Sequence, residues 1–164
     1  MNYEKANISD LDEIFSLYQL ATLDMRQKGI DQWDEIYPSK EILEDDILHN
    51  KMLIMRISNE IAAVIVFNEN QEKEYLDGNW NSNGPKTAVV HRLCIKPHFQ
   101  GYGMATEMMK YVESNLRSNG YNDIRLDAFS KNPYALKLYK KLGYKEVGET
   151  YFRKGKFLLF EKVL

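Results

Sequence analysis

At 164 residues, 44% of them hydrophobic and 28% charged, the chain is long enough for one sizeable core and too evenly composed to be disordered or fibrous. A formal net charge of -2 with no block of like charges argues against nucleic acid or an anionic membrane as an obligatory partner, since either selects a basic surface. A single cysteine, Cys94, excludes an internal disulfide and points to a reducing, cytoplasmic setting.

Residues 1–10 hold acids and amides around no apolar core and are not expected to be a signal peptide. The longest apolar run, residues 61–67, is far too short to span a bilayer. Residues 1–7 suit a short first strand. Ser9 then opens a helix: Ser9 and Asp12 have capping-box spacing, and Leu11, Ile14, Phe15, Tyr18 and Met25 share one face. Lys28-Gly29 closes it. A shorter helix follows Pro38, with Ser39 as cap and Ile42, Leu43 and Ile47 inward. Residues 51–58 and 61–67 read as strands joined by a turn at Asn59-Glu60. The stretch 68–85 is polar and turn-rich, with residues 75–80 a further strand or a loop.

Residues 87–95 form a strand, 96–100 a connection, and 103–119 a helix with Ala105, Met108, Met109, Val112 and Leu116 along one stripe. Residues 123–129 alternate as a strand should. Pro133, behind Asn132, opens a helix that Gly143 ends. Two strands, 144–153 and 157–164, turn at Lys154-Gly155. The order β-α-α-β-β-β-α-β-α-β-β is a mixed α/β pattern without repeats, read as one domain over residues 1–164.

The chemistry concentrates where the strand ending at Ile95 runs through Gln100-Gly101-Tyr102-Gly103 into the helix at Met104-Ala105. The first N–H groups of a helix lack intrahelical partners, and the dipole adds positive potential there, so phosphate oxygens are favoured. Glycine at 101 and 103 removes the β-carbons that otherwise keep a pyrophosphate off those amides. The same loop also suits a plain strand-to-helix turn. It is neither a dinucleotide fingerprint nor a P-loop, because the full G-x-G-x-x-G spacing is missing and no Gly-Lys-Ser/Thr follows.

Gln100-Gly101-Tyr102-Gly103-Met104-Ala105 matches the Q/R-x-x-G-x-G/A signature of the GNAT acetyltransferases. Downstream, Asn132-Pro133-Tyr134-Ala135-Leu136-Lys137-Leu138-Tyr139-Lys140-Lys141-Leu142-Gly143-Tyr144 resembles that family's N-x-x-A-x-x-L-Y-x-K-x-G-F/Y segment. The two motifs stand in the family's order, each on the expected element. The resemblance implies a mixed, mostly antiparallel central sheet with flanking helices and a splayed central strand pair. It also implies acetyl-CoA as cosubstrate and transfer of its acetyl group to a primary amine of a small molecule by direct attack.

By the same resemblance, the pantetheine lies along Leu93, Cys94 and Ile95, and the pyrophosphate on the amides of Gln100, Gly101, Tyr102, Gly103, Met104 and Ala105. The backbone N–H of Ile95 is then the oxyanion donor, Tyr139 the general acid, and Asn132 both a helix cap and a cofactor contact. Tyr139 at three-residue spacing from Leu136 and Leu142 equally suits a core residue. Many members carry a glutamate on the splayed strand. None stands between Val89 and Ile95 here; His91 does, and some arylalkylamine acetyltransferases have a histidine in a comparable place. His91 is the candidate base, in strand parity with Leu93 and Ile95 unless a β-bulge intervenes, and Asp127 or a water chain are its rivals.

Cys94 reads as a small buried residue rather than a nucleophile, and His49, His91 and His98 show no metal-ligand spacing, so no metal is expected. Trp33, Tyr37 and Trp80 suit either packing or selection of an apolar or cationic amine. A protein or peptide acetyltransferase and a non-catalytic CoA sensor are the alternative functions. No nucleic-acid or membrane partner is expected, and a homodimer is suggested by analogy alone.

Overall fold

The structure, a computed structural model, describes residues 1–164. Its strands are β1 (Asn2–Lys5), β2 (Met52–Ile57), β3 (Glu60–Asn68), β4 (Thr87–Ile95), β5 (Asp123–Phe129), β6 (Lys145–Phe152) and β7 (Gly155–Val163). The helices are α1 (Leu11–Gln27), α2 (Lys40–Leu48), α3 (Met104–Ser118) and α4 (Pro133–Lys141). The strands form a seven-stranded sheet in the order β1-β2-β3-β4-β5-β7-β6, so the α/β class and the element order expected from the sequence are those observed. Within it the chain forms two compact units, residues 1–67 with 92–108, and residues 68–91 with 109–164.

In the first unit β1, β2 and β3 are antiparallel neighbours. α1 and α2 cover a core of Ile14, Leu17, Tyr18, Leu43, Ile54 and Val64, each at most 1% exposed. Burying such side chains contributes roughly 1.5–3 kcal/mol apiece. Entry into α1 differs from the capping expected at Ser9. Residues Ile8–Asp10 form a 3-10 turn, and the Asp10 carboxylate accepts the Asn7 N–H at 2.8 Å, with Arg56 holding its other oxygen at 2.5 Å. At α2 the expected cap is present, Ser39 Oγ accepting the Ile42 N–H at 3.2 Å. The β2–β3 turn sits one residue earlier than expected. Ser58 and Asn59 take positive φ of 48° and 67°, and Ile57 already pairs with Glu60, as a two-residue hairpin turn requires.

In the second unit β4 runs parallel to β5 only from Thr87–Asp123 to Val90–Leu126. β5 is antiparallel to β7 along its whole length, and β7 pairs with β6. Met109, Val112 and Leu116 of α3 are buried as their helical stripe requires. Residues 75–80, expected as strand or loop, lie at a 3-10 turn (Lys73–Asp77) and its continuation, with Tyr75 buried. The final hairpin turns at Arg153-Lys154, because Gly155 already pairs with Phe152.

The capping geometry gives a contrast in stability. Ser39→Ala removes an acceptor from a helix N-terminus and should cost about 1 kcal/mol. Ser9→Ala, at an exposed position without a capping role, should stay within about 0.5 kcal/mol of the parent. Urea unfolding of the two variants measures both; equal losses would contradict the assignment of the cap to residues 7–10.

Candidate active site

In the first unit, a 3-10 turn (Pro97–Phe99) follows β4 and the chain then enters α3 through Gln100 to Gly103. Gly101 and Gly103 have φ of +83° and +81°, the left-handed region that glycine enters without steric cost. A β-carbon at either would meet nothing within 4 Å. The glycines are therefore not there to relieve a clash within the protein. They keep the space over the loop amides open. The Glu107 N–H reaches Gly103 O at 3.1 Å, so the first α3 bond begins there and the N–H groups ahead of it have no helical acceptor. Bare amides, the positive end of a 15-residue helix and vacant space in place of two β-carbons fit an anionic phosphate.

Gln100 does not point into that space. Its Nε2 donates to Ile95 O at 3.2 Å and its Oε1 accepts from Lys28 Nζ at 3.2 Å, tying the loop to the end of β4 and to the residue after α1. Tyr102 is 76% exposed, while Met104 and Ala105 are half-buried in the first turn of α3.

β4 itself is irregular. Arg92 has φ of +49° in mid-strand, so the alternation expected to carry His91 into step with Leu93 and Ile95 is broken between them. Leu93 and Ile95 are half-buried and Cys94 is 4% exposed within the core. Burial pushes the Cys94 thiol well above its ordinary range, which keeps it protonated and unreactive.

The second unit holds the titratable candidates. His91 is half-buried, and its Nε2 lies 3.1 Å from Asn68 Oδ1. Asp127 follows Leu126 on β5 as His91 follows Val90 on β4, so both leave the last ladder pair on the same face of the sheet. The Asp127 carboxylate accepts the Tyr75 hydroxyl at 2.7 Å. Nothing around Tyr75 in the sequence marks it as a partner for Asp127. Asn132 caps α4, its Oδ1 accepting the Ala135 N–H at 3.1 Å. Tyr139 lies two turns along that helix, buried against Tyr144 and Phe160 at ring distances of 5.7 and 6.0 Å. Burial, and then the Asp127 charge, raise its phenol well above the ordinary range. It is protonated at neutral pH, as a free phenol also is, and the raised value makes it a weaker acid than a free phenol.

The three aromatics of uncertain use are all engaged in packing or hydrogen bonds. Trp33 is buried against Tyr18 at 5.3 Å, Tyr37 accepts from Arg92 at 2.9 Å, and Trp80 donates to Tyr75 O at 2.6 Å with the Arg125 guanidinium 4.4 Å over its ring. No three His, Cys, Asp or Glu side chains group as a metal site.

Residues 21–160 match the family model described as an acetyltransferase (GNAT) domain. The chain belongs to the GNAT family. It is an acetyl-CoA-dependent N-acetyltransferase by that membership. Its similarity to the Bacillus subtilis (strain 168) protein named "Uncharacterized N-acetyltransferase YesJ" is 23% identity over 141 residues, covering 84% of this chain and 76% of that one. N-acetylaspartate synthetase of Danio rerio is 33% identical over 64 residues, covering 39% of this chain and 23% of that protein. The crystal structure of a GNAT-family acetyltransferase from Streptococcus agalactiae superposes with a TM-score of 0.86 at 24% identity, covering 99% of this chain and 95% of that one. This GNAT chain has no helix long and apolar enough to cross a membrane.

The open space over Gly103 makes the loop testable apart from the fold. Gly103→Ala places a methyl group over the amides at an expected stability cost of about 1–2 kcal/mol for the left-handed backbone. CoA affinity should fall at least about tenfold, or roughly 1.4 kcal/mol. Calorimetric titration with CoA alongside a melting curve decides; unchanged affinity in the folded variant removes the phosphate role from this loop.

Proposed function

We propose that the protein acetylates the primary amine of a small molecule, with residues 1–164 acting as one catalytic domain. The observation that carries the reading is Tyr139: a phenol at the family's acid position, on the helix that Asn132 caps. A sensor domain that only binds CoA has no need of a proton donor there. The small acceptor is favoured by one relative, N-acetylaspartate synthetase, whose name denotes a small acetylated product.

Bound acetyl-CoA supplies an acyl group already activated as a thioester, so no acyl-enzyme is required, and the inert Cys94 thiol agrees with that. The residues at Gln100 to Ala105 hold its pyrophosphate, and the backbone of Leu93, Cys94 and Ile95 runs along its pantetheine. Two proton movements remain for the protein. Tyr139 gives its hydroxyl proton to the departing sulfur. His91 takes the proton from the attacking nitrogen, directly or through water. Its Nε2 lies 3.1 Å from Asn68 Oδ1, which orients the ring. Asp127, the rival base, already accepts the Tyr75 hydroxyl.

Thiol release from acetyl-CoA across a panel of small amines, amino acids and peptides tests the acceptor class; turnover confined to peptides would overturn it. Tyr139→Phe keeps the ring and removes only the hydroxyl, and single-turnover transfer should slow by about a hundredfold or more. A wild-type rate would reduce Tyr139 to a core residue. For His91, kcat/KM should rise with pH through an imidazole-range limb that stays fixed between acceptors of different amine pKa and disappears in His91→Gln. A limb that follows the acceptor, with His91→Gln turning over normally, assigns the proton to Asp127 or solvent.

A further inference from the structure

Arg92 combines three unfavourable features in one residue. Its backbone is left-handed in the middle of a strand, at φ of +49° without being glycine. Its guanidinium is withdrawn from water, the side chain 9% exposed, and pairs through Nη2 with Asp46 of α2, itself 5% exposed. Its Nε is buried without a hydrogen-bond partner. Two further contacts hold it: Nη1 donates to the Tyr37 hydroxyl at 2.9 Å, and its carbonyl accepts the Tyr18 hydroxyl of α1 at 2.5 Å.

A buried ion pair is a weak source of stability. Replacing a buried ion pair by apolar side chains of similar volume is often neutral or stabilising, whereas removing one partner strands a charge. Burial holds the Asp46 carboxyl above its ordinary range even though the Arg92 charge pulls the other way. Arg92, by contrast, is held charged by Tyr37 and Asp46 against the cost of burial, so the shifts of the two partners oppose one another and the pair is weak evidence for stability. A costly conformation that its surroundings fix from several sides motivates a functional reading.

We infer that Arg92 is a positioning residue: clamped by Tyr18, Tyr37 and Asp46, it holds the kink of β4 and so fixes the direction of the backbone at Leu93, Cys94 and Ile95. The inference rests on the proposed reading of that stretch as the strand along which the thioester lies. A single residue in the left-handed region redirects every N–H and C=O after it, and a relaxed, regular strand would aim them elsewhere. The oxyanion donor assigned to Ile95 lies three residues beyond the clamp. Small displacements of such a donor lower turnover without abolishing binding.

The test removes both charges together, as Arg92→Met with Asp46→Leu, and separately the backbone tether, as Tyr18→Phe. The double variant should melt at or above the parent temperature and bind CoA within about threefold, while kcat at saturating acetyl-CoA falls between about tenfold and a hundredfold. Tyr18→Phe should lower kcat in the same direction with KM for acetyl-CoA little changed. A purely structural clamp gives the opposite pattern, a lower melting temperature with kcat retained, and that result would overturn the role. If the double variant does not fold, the role stands or falls on Tyr18→Phe. Amide hydrogen exchange of the wild-type protein with and without CoA separates this inference from the reading beneath it. Absence of CoA-dependent protection at residues 93–95 removes the strand assignment itself. Protection present in the wild type and identical in Tyr18→Phe, with kcat unchanged, removes only the positioning role.

Discussion

The ladder between β4 and β5 stops after Val90 and Leu126 while β5 continues to Phe129 beside β7, and the local structure downstream answers to that interruption. A strand that loses its neighbour leaves polar backbone groups that must find other partners. The substitutes are specific. The Arg92 carbonyl takes the Tyr18 hydroxyl and the Ile95 carbonyl takes Gln100 Nε2, while the Lys96 N–H bonds Ala62 O on β3, the neighbour that β4 keeps. Two of these three come from outside the sheet, from α1 and from the loop before α3. These side chains tie the end of β4 to α1 and to the loop before α3.

Burial then sorts the ionisable groups into roles. Desolvation raises Cys94 and Tyr139 alike, with different consequences. It silences a thiol that would have to ionise to react, and it keeps a phenol neutral while weakening it as an acid. Position decides which consequence matters. Cys94 faces the core among Tyr18, Val64 and Val66. Tyr139 stands seven residues after the Asn132 cap, almost two full turns, so the capping bond that starts α4 also sets the rotation at which the phenol emerges. Pro133 at the first helical position makes that start sharp.

Features governed by nearby residues were legible in the sequence. Asn132-Pro133 and Gly143 bound α4, Ser39 caps α2, and the stripe from Met108 to Leu116 is buried as its spacing requires. The paired motifs identified the family because each preserves local chemistry, a glycine cradle and a capped helix. Errors arose where a distant partner decided. The one-residue shifts of two hairpin turns follow from the pairs Ile57–Glu60 and Phe152–Gly155, which depend on strand register rather than turn composition. The capping expected at Ser9 failed because Arg56, 46 residues from Asp10, holds that acid where it also takes the Asn7 N–H. Nothing in Val90-His91-Arg92-Leu93 signals a left-handed residue. The groups that meet it there are Tyr18, 74 residues away in the chain, and Asp46, 46 away.

A glycine at position 92 would reach φ of +49° without strain, yet it would serve the strand poorly. Glycine permits the left-handed region and every competing region as well, so the kink would be one state among several, at a backbone entropy cost of about 0.5–1 kcal/mol relative to alanine. Arginine accepts the strain and removes the alternatives, since its carbonyl is held from α1 and its guanidinium from α2 and Tyr37. The geometry of β4 thus becomes conditional on how the first two helices pack. A tether from those helices to the strand couples their packing to the backbone of β4.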